Sequence, residues 1–299
     1  MLRKAVKKQL ESDYDMSIME IKYLSKGSNG CVCRVKCDSG ESYCVKMIPK
    51  ENSSVKSECT ISPVMYNTDA FKVRIYFDEL HYYIITPFFV GENLASVILL
   101  NIAVEKREAI FANLIVCVEE MHKKGILHRD LKPENIIVNL DDNTVKIIDC
   151  GRAVAVFDDK SGKALSTPED LSLKSTNNAW YAFFPITQYL RRWQPQTAPE
   201  YTSTMTHYYN YKCEAEGVGF RSDYYAVANL FLQLLPEHPE FKDMINEVLK
   251  TDGLDRSRTY HDFVKKFLHP FNIRLSMAEL PFAADLPEDI AGAACAPSI

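Results

Sequence analysis

The chain has 299 residues, of which 46% are apolar, 25% charged and 11% aromatic, and its net charge is -5. That composition can bury a large core, which excludes an intrinsically disordered chain, and the acidic balance gives no global attraction to nucleic acid. The most apolar stretch, Leu94–Val104, falls well short of the roughly 20 residues of a membrane span and is interrupted by Ser96 and Asn101. Arg3, Lys4, Lys7 and Lys8 precede acidic residues and no apolar core, so they read as a solvated helix face and no secretory signal is expected. Nine scattered cysteines, an odd number, point to free thiols in a reducing compartment. A cytoplasmic location follows, with the nucleus or a host-cell cytoplasm as alternatives. Cys31, Cys33 and Cys37 read as strand residues, because no second Cys or His pair stands at zinc spacing.

In chain order, Ile18–Leu24, Cys31–Cys37, Ser42–Ile48, Lys72–Phe77 and Tyr82–Thr86 are β-branched or aromatic runs bounded by turn residues, and they predict strands. Between the third and fourth, Ser53–Ile61 predicts a short helix capped by Ser53 or Ser54 and stopped by Pro63. Glu105–Lys124 predicts a strong amphipathic helix: Ile110, Phe111, Leu114, Ile115, Val118 and Met121 recur at helical spacing, and Gly125 ends it. Asn135–Asn139 and Thr144–Ile148 predict a hairpin turning at Asp141–Asn143. Residues 152–222 are polar and weakly periodic. Helical periodicity returns at Ser222–Leu235, Phe241–Leu249 and Thr259–Leu268, and Pro281–Ile299 is rich in Ala and Pro. The fold class expected is α+β, a small β-rich lobe followed by a larger helical one.

The strongest string is His128-Arg129-Asp130-Leu131-Lys132-Pro133-Glu134-Asn135, placed between the amphipathic helix and the hairpin, with Asp149-Cys150-Gly151 at the hairpin's far end. It resembles the catalytic loop H-R-D-x-K-x-x-N and the D-F-G motif of the eukaryotic-type protein kinases, of the serine/threonine kind. The resemblance runs in order over about residues 18–271 and implies a bilobal fold around one nucleotide cleft. It implies an N-terminal extension over 1–17, an N-lobe over 18–86, a hinge and C-lobe over 87–271 with an activation segment over 149–200, and a flexible tail over 272–299. Little chain is then left for a separate regulatory domain, so regulation is expected inside the catalytic one.

By that resemblance Asp130 is the catalytic base and Lys132 neutralises the transferring phosphoryl group. Asn135 and Asp149 supply the hard oxygen ligands for Mg²⁺, with Mn²⁺ as the alternative. Leu24–Val32 resembles the glycine-rich loop, in which Gly27 and Gly30 let backbone N–H groups close on the phosphates of ATP; Ser25 stands in place of its first glycine. Cys44-Val45-Lys46 resembles the V-A-x-K strand, with Lys46 as the lysine for the α- and β-phosphates. Its carboxylate partner is Glu58, with Glu51 as the runner-up. Thr86 falls at the gatekeeper position and Pro87-Phe88-Phe89 at the hinge. Phe88 and Phe89 would meet adenine through their backbone, and Val32, Cys44 and Ile137 would flank the ring. Ala198-Pro199-Glu200 resembles the end of an activation segment, with Arg258 as the partner of Glu200 in a buried ion pair. Asp223 resembles the aspartate that supports the catalytic loop, and Leu268-His269-Pro270-Phe271 the family's H-P-F ending.

Several positions depart from the family pattern. Cys150 replaces a phenylalanine and Ser62 an apolar residue, which thins the internal spine that resembling kinases share. Trp193 stands where a threonine is expected to touch the catalytic loop. The activation segment is long and carries Ser166, Thr167, Ser172, Ser175 and Thr176, with Thr167-Pro168 a candidate phosphosite for which Arg129 would be the cation. Between Leu235 and Arg258 there is room for one helix, and Tyr201–Arg221 reads as either a partner surface or a loop. The activity implied is transfer of the ATP γ-phosphate to Ser or Thr of protein substrates. The alternatives are a pseudokinase scaffold that binds nucleotide or partners, and a small-molecule kinase of similar fold. Neither a nucleic-acid partner nor a membrane span is expected.

Overall fold

The computed structural model describes residues 7–8, 11–12, 17–27, 30–69, 71–155, 220–251 and 253–273. The expectations that fall on Ser166–Thr176, Trp193, Ala198–Glu200, the stretch 201–219 and the tail beyond 273 lie outside them. Two compact units divide between Val90 and Gly91.

The first unit is an antiparallel sheet of five strands: β1 (Ile18–Gly27), β2 (Gly30–Cys37), β3 (Ser42–Pro49), β4 (Arg74–Phe77) and β5 (His81–Pro87), in the order β1-β2-β3-β5-β4. Strict alternation decides which face is which. Val35, Cys37, Tyr43, Val45, Tyr83 and Ile85 share one face and form a buried cluster with Ile18. The register pairs Val32 with Lys46, Cys44 with Thr86 and Lys46 with Ile84, so these five residues occupy the opposite face. Gly30 opens β2 with φ +144, and a Cβ there would stand 2.0 Å from the Met47 carbonyl oxygen, so the position requires glycine.

Helix α1 (Val55–Tyr66) follows β3 and corrects two expectations. It runs past Pro63 to Tyr66, and its N-cap Ser54 makes no side-chain capping bond. Pro63 lies in the last turn, where few bonds remain to be lost, and burial of Ile61, Ser62 and Tyr66 around it holds that turn in place.

The second unit is mainly helical. It contains β6 (Glu92–Asn93), α2 (Leu94–Ile98), α3 (Val104–Lys123), β7 (Ile126–Leu127), β8 (Ile136–Val138), β9 (Val145–Ile147), β10 (Val154–Ala155), α4 (Phe220–Leu234), α5 (Pro239–Lys250) and α6 (Gly253–Leu268). The apolar stripe read from the sequence is the buried face of α3, and Gly125, at φ +71, turns the chain out of it. Phe111 on that stripe meets Phe231 of α4 and Phe267 of α6 edge-on, with ring centroids 5.1 and 5.4 Å apart. Phe231 also meets Phe263 at 5.4 Å. Such pairs add about 0.5–1.5 kcal/mol each beyond their burial. β8 and β9 form the expected hairpin, with β6 on its other edge. Between Leu235 and Arg258 one whole helix, α5, lies ahead of α6, in keeping with the room read from the sequence. No helix among the described residues is long and apolar enough to cross a membrane.

On α6 the expected pairing of Arg258 with Glu200 lies outside the described residues. Arg258 is exposed, whereas Arg256 is buried, donates from Nε to the Thr251 carbonyl at 3.0 Å and lies 5.1 Å from the Tyr225 ring centroid. The helical phase of α6 turns position 256, two residues earlier, to the interior.

Glu119 is the unexpected member of the α3 face. It is 1% exposed, and no hydrogen bond of ordinary geometry reaches either carboxylate oxygen from the described residues. Burial pushes its pKa up, offset in part by His122, the Tyr260 hydroxyl and Lys123. A raised pKa means that the fold binds this proton more tightly than the unfolded chain does. Its stabilising effect is therefore complete below the unfolded value of about 4.3 and is lost as pH rises through the folded value. Glu119→Gln removes that loss. Thermal denaturation from pH 4 to pH 8 should show the variant gaining on the wild type with rising pH. A constant difference at every pH would refute the assignment.

Candidate active site

In the second unit the site is built on the loop between β7 and β8. His128 is fully buried and its Nε2 lies 3.2 Å from the Ile148 carbonyl, which ties the loop's first residue to the end of the hairpin. The buried Asp223 of α4 accepts from the backbone N–H groups of His128 and Arg129 at 2.8 and 2.9 Å, and faces His122 Nε2 at 3.0 Å. Burial alone would raise the Asp223 pKa; the His122 hydrogen bond and the charge and backbone contacts around it outweigh that, and the net displacement is downward. Those two backbone bonds hold Arg129 at φ +63, a left-handed conformation that costs a non-glycine residue about 1–3 kcal/mol.

The strained turn aims Asp130 at its partners. Lys132 Nζ donates to Asp130 Oδ2 at 2.9 Å. Asn135 Nδ2 donates to the Asp130 carbonyl at 2.8 Å and to Oδ2 at 3.1 Å. With its nitrogen committed in this way, the Asn135 amide has its oxygen left for a cation. The Ile148 N–H donates to the Asn135 carbonyl at 2.8 Å, which places the residue before Asp149 against Asn135. Asp149 is itself left-handed, at φ +69, and its Oδ1 accepts from Gly151 N–H at 3.2 Å. One amide oxygen and one carboxylate suit Mg²⁺, which keeps several waters and takes few protein ligands. The donor set fits that ion, and Asn135 and Asp149 are the residues that would hold it. Cys150 is buried directly after Asp149.

In the first unit Lys46 pairs with Glu58, the first acidic residue of α1, and Ser62 Oγ donates to Glu58 Oε2 at 3.4 Å. Glu51, the other candidate, is exposed. Val32, Cys44 and Thr86 lie on the Lys46 face of the sheet, as the register requires. Burial raises the Cys44 thiol to about 11, opposed by the Thr86 side chain and Lys46, so it stays protonated and acts as a small apolar group. Gly27 and Gly30 pair across the β1–β2 turn, whose tip residues 28 and 29 lie outside the described ones. The Phe88 N–H donates to the Ser42 carbonyl at 3.0 Å, and Arg34 stacks 4.7 Å from the Phe88 ring centroid. Phe89 follows, half-buried. Ile137 belongs to the second unit, on β8 opposite Lys146 and Asn93.

Two residues escaped the sequence reading. His122 carries a signal that was open to it, a polar residue one place beyond the apolar stripe of α3. Arg152 carries none: its Nη1 lies 3.6 Å from Asp130 Oδ1, and its carbonyl accepts from Arg129 Nε at 2.6 Å. Those contacts arise only when two loops are folded together.

The first unit presents a lysine–glutamate pair, and the second presents an aspartate–lysine–asparagine loop and a second aspartate. Comparison with known proteins gives the family. The protein kinase domain model matches residues 18–179, more than half of the sequence, and the chain belongs to the protein kinase superfamily. It is 32% identical over 140 residues to a probable serine/threonine-protein kinase KIN1 homolog of Enterocytozoon bieneusi, covering 44% of this chain and 23% of that protein. It is 31% identical over 145 residues to calcium-dependent protein kinase 4 of Plasmodium berghei, covering 44% and 28%. It is 30% identical over 155 residues to the serine/threonine-protein kinase LATS2 of Mus musculus, covering 48% and 15%. The chain thus spans less than a third of the length of these relatives.

Proposed function

We propose that the chain transfers the γ-phosphate of ATP to serine and threonine hydroxyls of protein substrates. The observation that carries this reading is the Asp130 carboxylate, held by Lys132 and Asn135 on a loop whose backbone Asp223 fixes. A carboxylate so placed can orient an acceptor hydroxyl and take its proton, and Lys132 beside it can neutralise charge on the phosphoryl group as it moves. Lys46, kept in place by Glu58, would engage the α- and β-phosphates. Gly27 and Gly30 would let backbone N–H groups approach them. Val32, Cys44 and Ile137 would flank adenine, with Thr86 as gatekeeper. Since the Phe88 N–H is taken by Ser42, the Phe89 backbone is the better adenine partner. When bound at Asn135 and Asp149, Mg²⁺ supplies neutralising charge to the phosphates.

The second reading is a pseudokinase that binds nucleotide or a partner without transfer. Cys150 and Ser62 favour it, as small residues where resembling kinases carry larger apolar ones. Incubation with γ-labelled ATP, Mg²⁺ and generic acidic and basic proteins separates the two. Phosphoserine and phosphothreonine are the expected labelled residues. Phosphotyrosine alone would refute the acceptor class, and saturable ATP binding with no labelled residue would establish the second reading.

A further inference from the structure

Both oxygens of the Asp130 carboxylate face a cation. Lys132 serves Oδ2 at 2.9 Å, from within the same loop. Arg152 serves Oδ1 from the following loop, at 3.6 Å. That distance is beyond a direct hydrogen bond, so the second contact is a loose ion pair. The backbone of Arg152 is nevertheless fixed, because Arg129 Nε donates to its carbonyl at 2.6 Å. Its side chain is 26% exposed against 12% for Asp130, so the guanidinium reaches the catalytic carboxylate and solvent together. A guanidinium carries five donors in a planar fork and can serve two anions.

We propose that Arg152 determines substrate specificity by binding the carboxylate of an acidic residue that flanks the acceptor serine or threonine. This rests on the phosphotransfer reading above. An acceptor hydroxyl that comes to Asp130 must bring its neighbouring residues past Arg152. A substrate carboxylate there draws the guanidinium toward itself and leaves Asp130 Oδ1 to the hydroxyl. The proton then passes from the hydroxyl to Asp130, the acceptor oxygen bonds the γ-phosphorus, and the bond to the bridging oxygen breaks with its electron pair leaving on ADP. A basic residue at the same place meets like charge.

The test uses the full chain, Mg²⁺-ATP and three serine peptides that differ only in flanking residues: aspartate, alanine or lysine. The wild type should favour the aspartate peptide over the lysine peptide by about tenfold or more in kcat/KM, the size of one charge-assisted contact. Arg152→Glu should invert that order, and Arg152→Lys should keep most of it. The effect should fall on kcat/KM for peptide, with KM for ATP unchanged. Equal use of the three peptides by the wild type, or the same order in Arg152→Glu, overturns the proposal while leaving phosphotransfer standing. Transfer to none of the peptides or generic proteins overturns the phosphotransfer reading and this one with it.

Discussion

Asp130→Asn should lower the single-turnover rate of phosphotransfer by about 10²–10⁴-fold while ATP affinity stays within about twofold, the split expected when a proton acceptor is removed without touching the nucleotide. The replacement keeps the shape of the side chain. It cannot accept the hydroxyl proton, and whichever way the amide turns, its nitrogen faces a cation: Lys132 on one side or Arg152 on the other. No phosphate contact is assigned to Asp130, which is why binding should survive. Quenched-flow transfer alongside nucleotide binding by fluorescence separates the two quantities. A rate within a factor of three of the wild type would remove Asp130 from the chemistry.

The second large effect concerns Asp223, which touches no reacting atom in this account. Asp223→Ala removes the acceptor for the His128 and Arg129 N–H groups and the partner of His122. His128 is 0% exposed, so no solvent replaces its lost bond. Breaking a buried charged network on one side costs about 3–5 kcal/mol, and the left-handed Arg129 loses the bonds that hold it. The variant should melt well below the wild type, and the fraction that remains folded should have lost most of its transfer rate. Asp223→Asn keeps one carbonyl acceptor and should fall between the two. Because the folded pKa of Asp223 is lowered, its stabilisation is present above the unfolded value of about 3.9 and is lost as pH falls through the folded one. Asp223→Asn should accordingly flatten the acid side of the stability curve. Wild-type stability and activity in Asp223→Ala would contradict the role given to this network.

What the chain shows without coordinates depends on whether the relevant contacts are local. The 128–135 string is contiguous, and the periodicity of α3 and the alternation of β2 and β3 are set by the chain's own geometry, so each was readable. The choice of Glu58 over Glu51 followed from which residue lies inside the helix. Pro63 misled because a stop signal was weighed without the burial of Ile61, Ser62 and Tyr66 around it. Arg152 was illegible for a deeper reason. Its meaning comes from the carboxylate of a different loop, 22 positions earlier in the chain.

The most direct measurement is the number of γ-phosphates transferred per bound ATP by the wild-type chain, in one sample, with Mg²⁺ and then with the metal chelated. An active serine/threonine kinase should convert bound ATP to ADP and phosphoprotein in Mg²⁺ and stop when the metal is removed. Full occupancy by ATP with no phosphate moved in Mg²⁺ would contradict it.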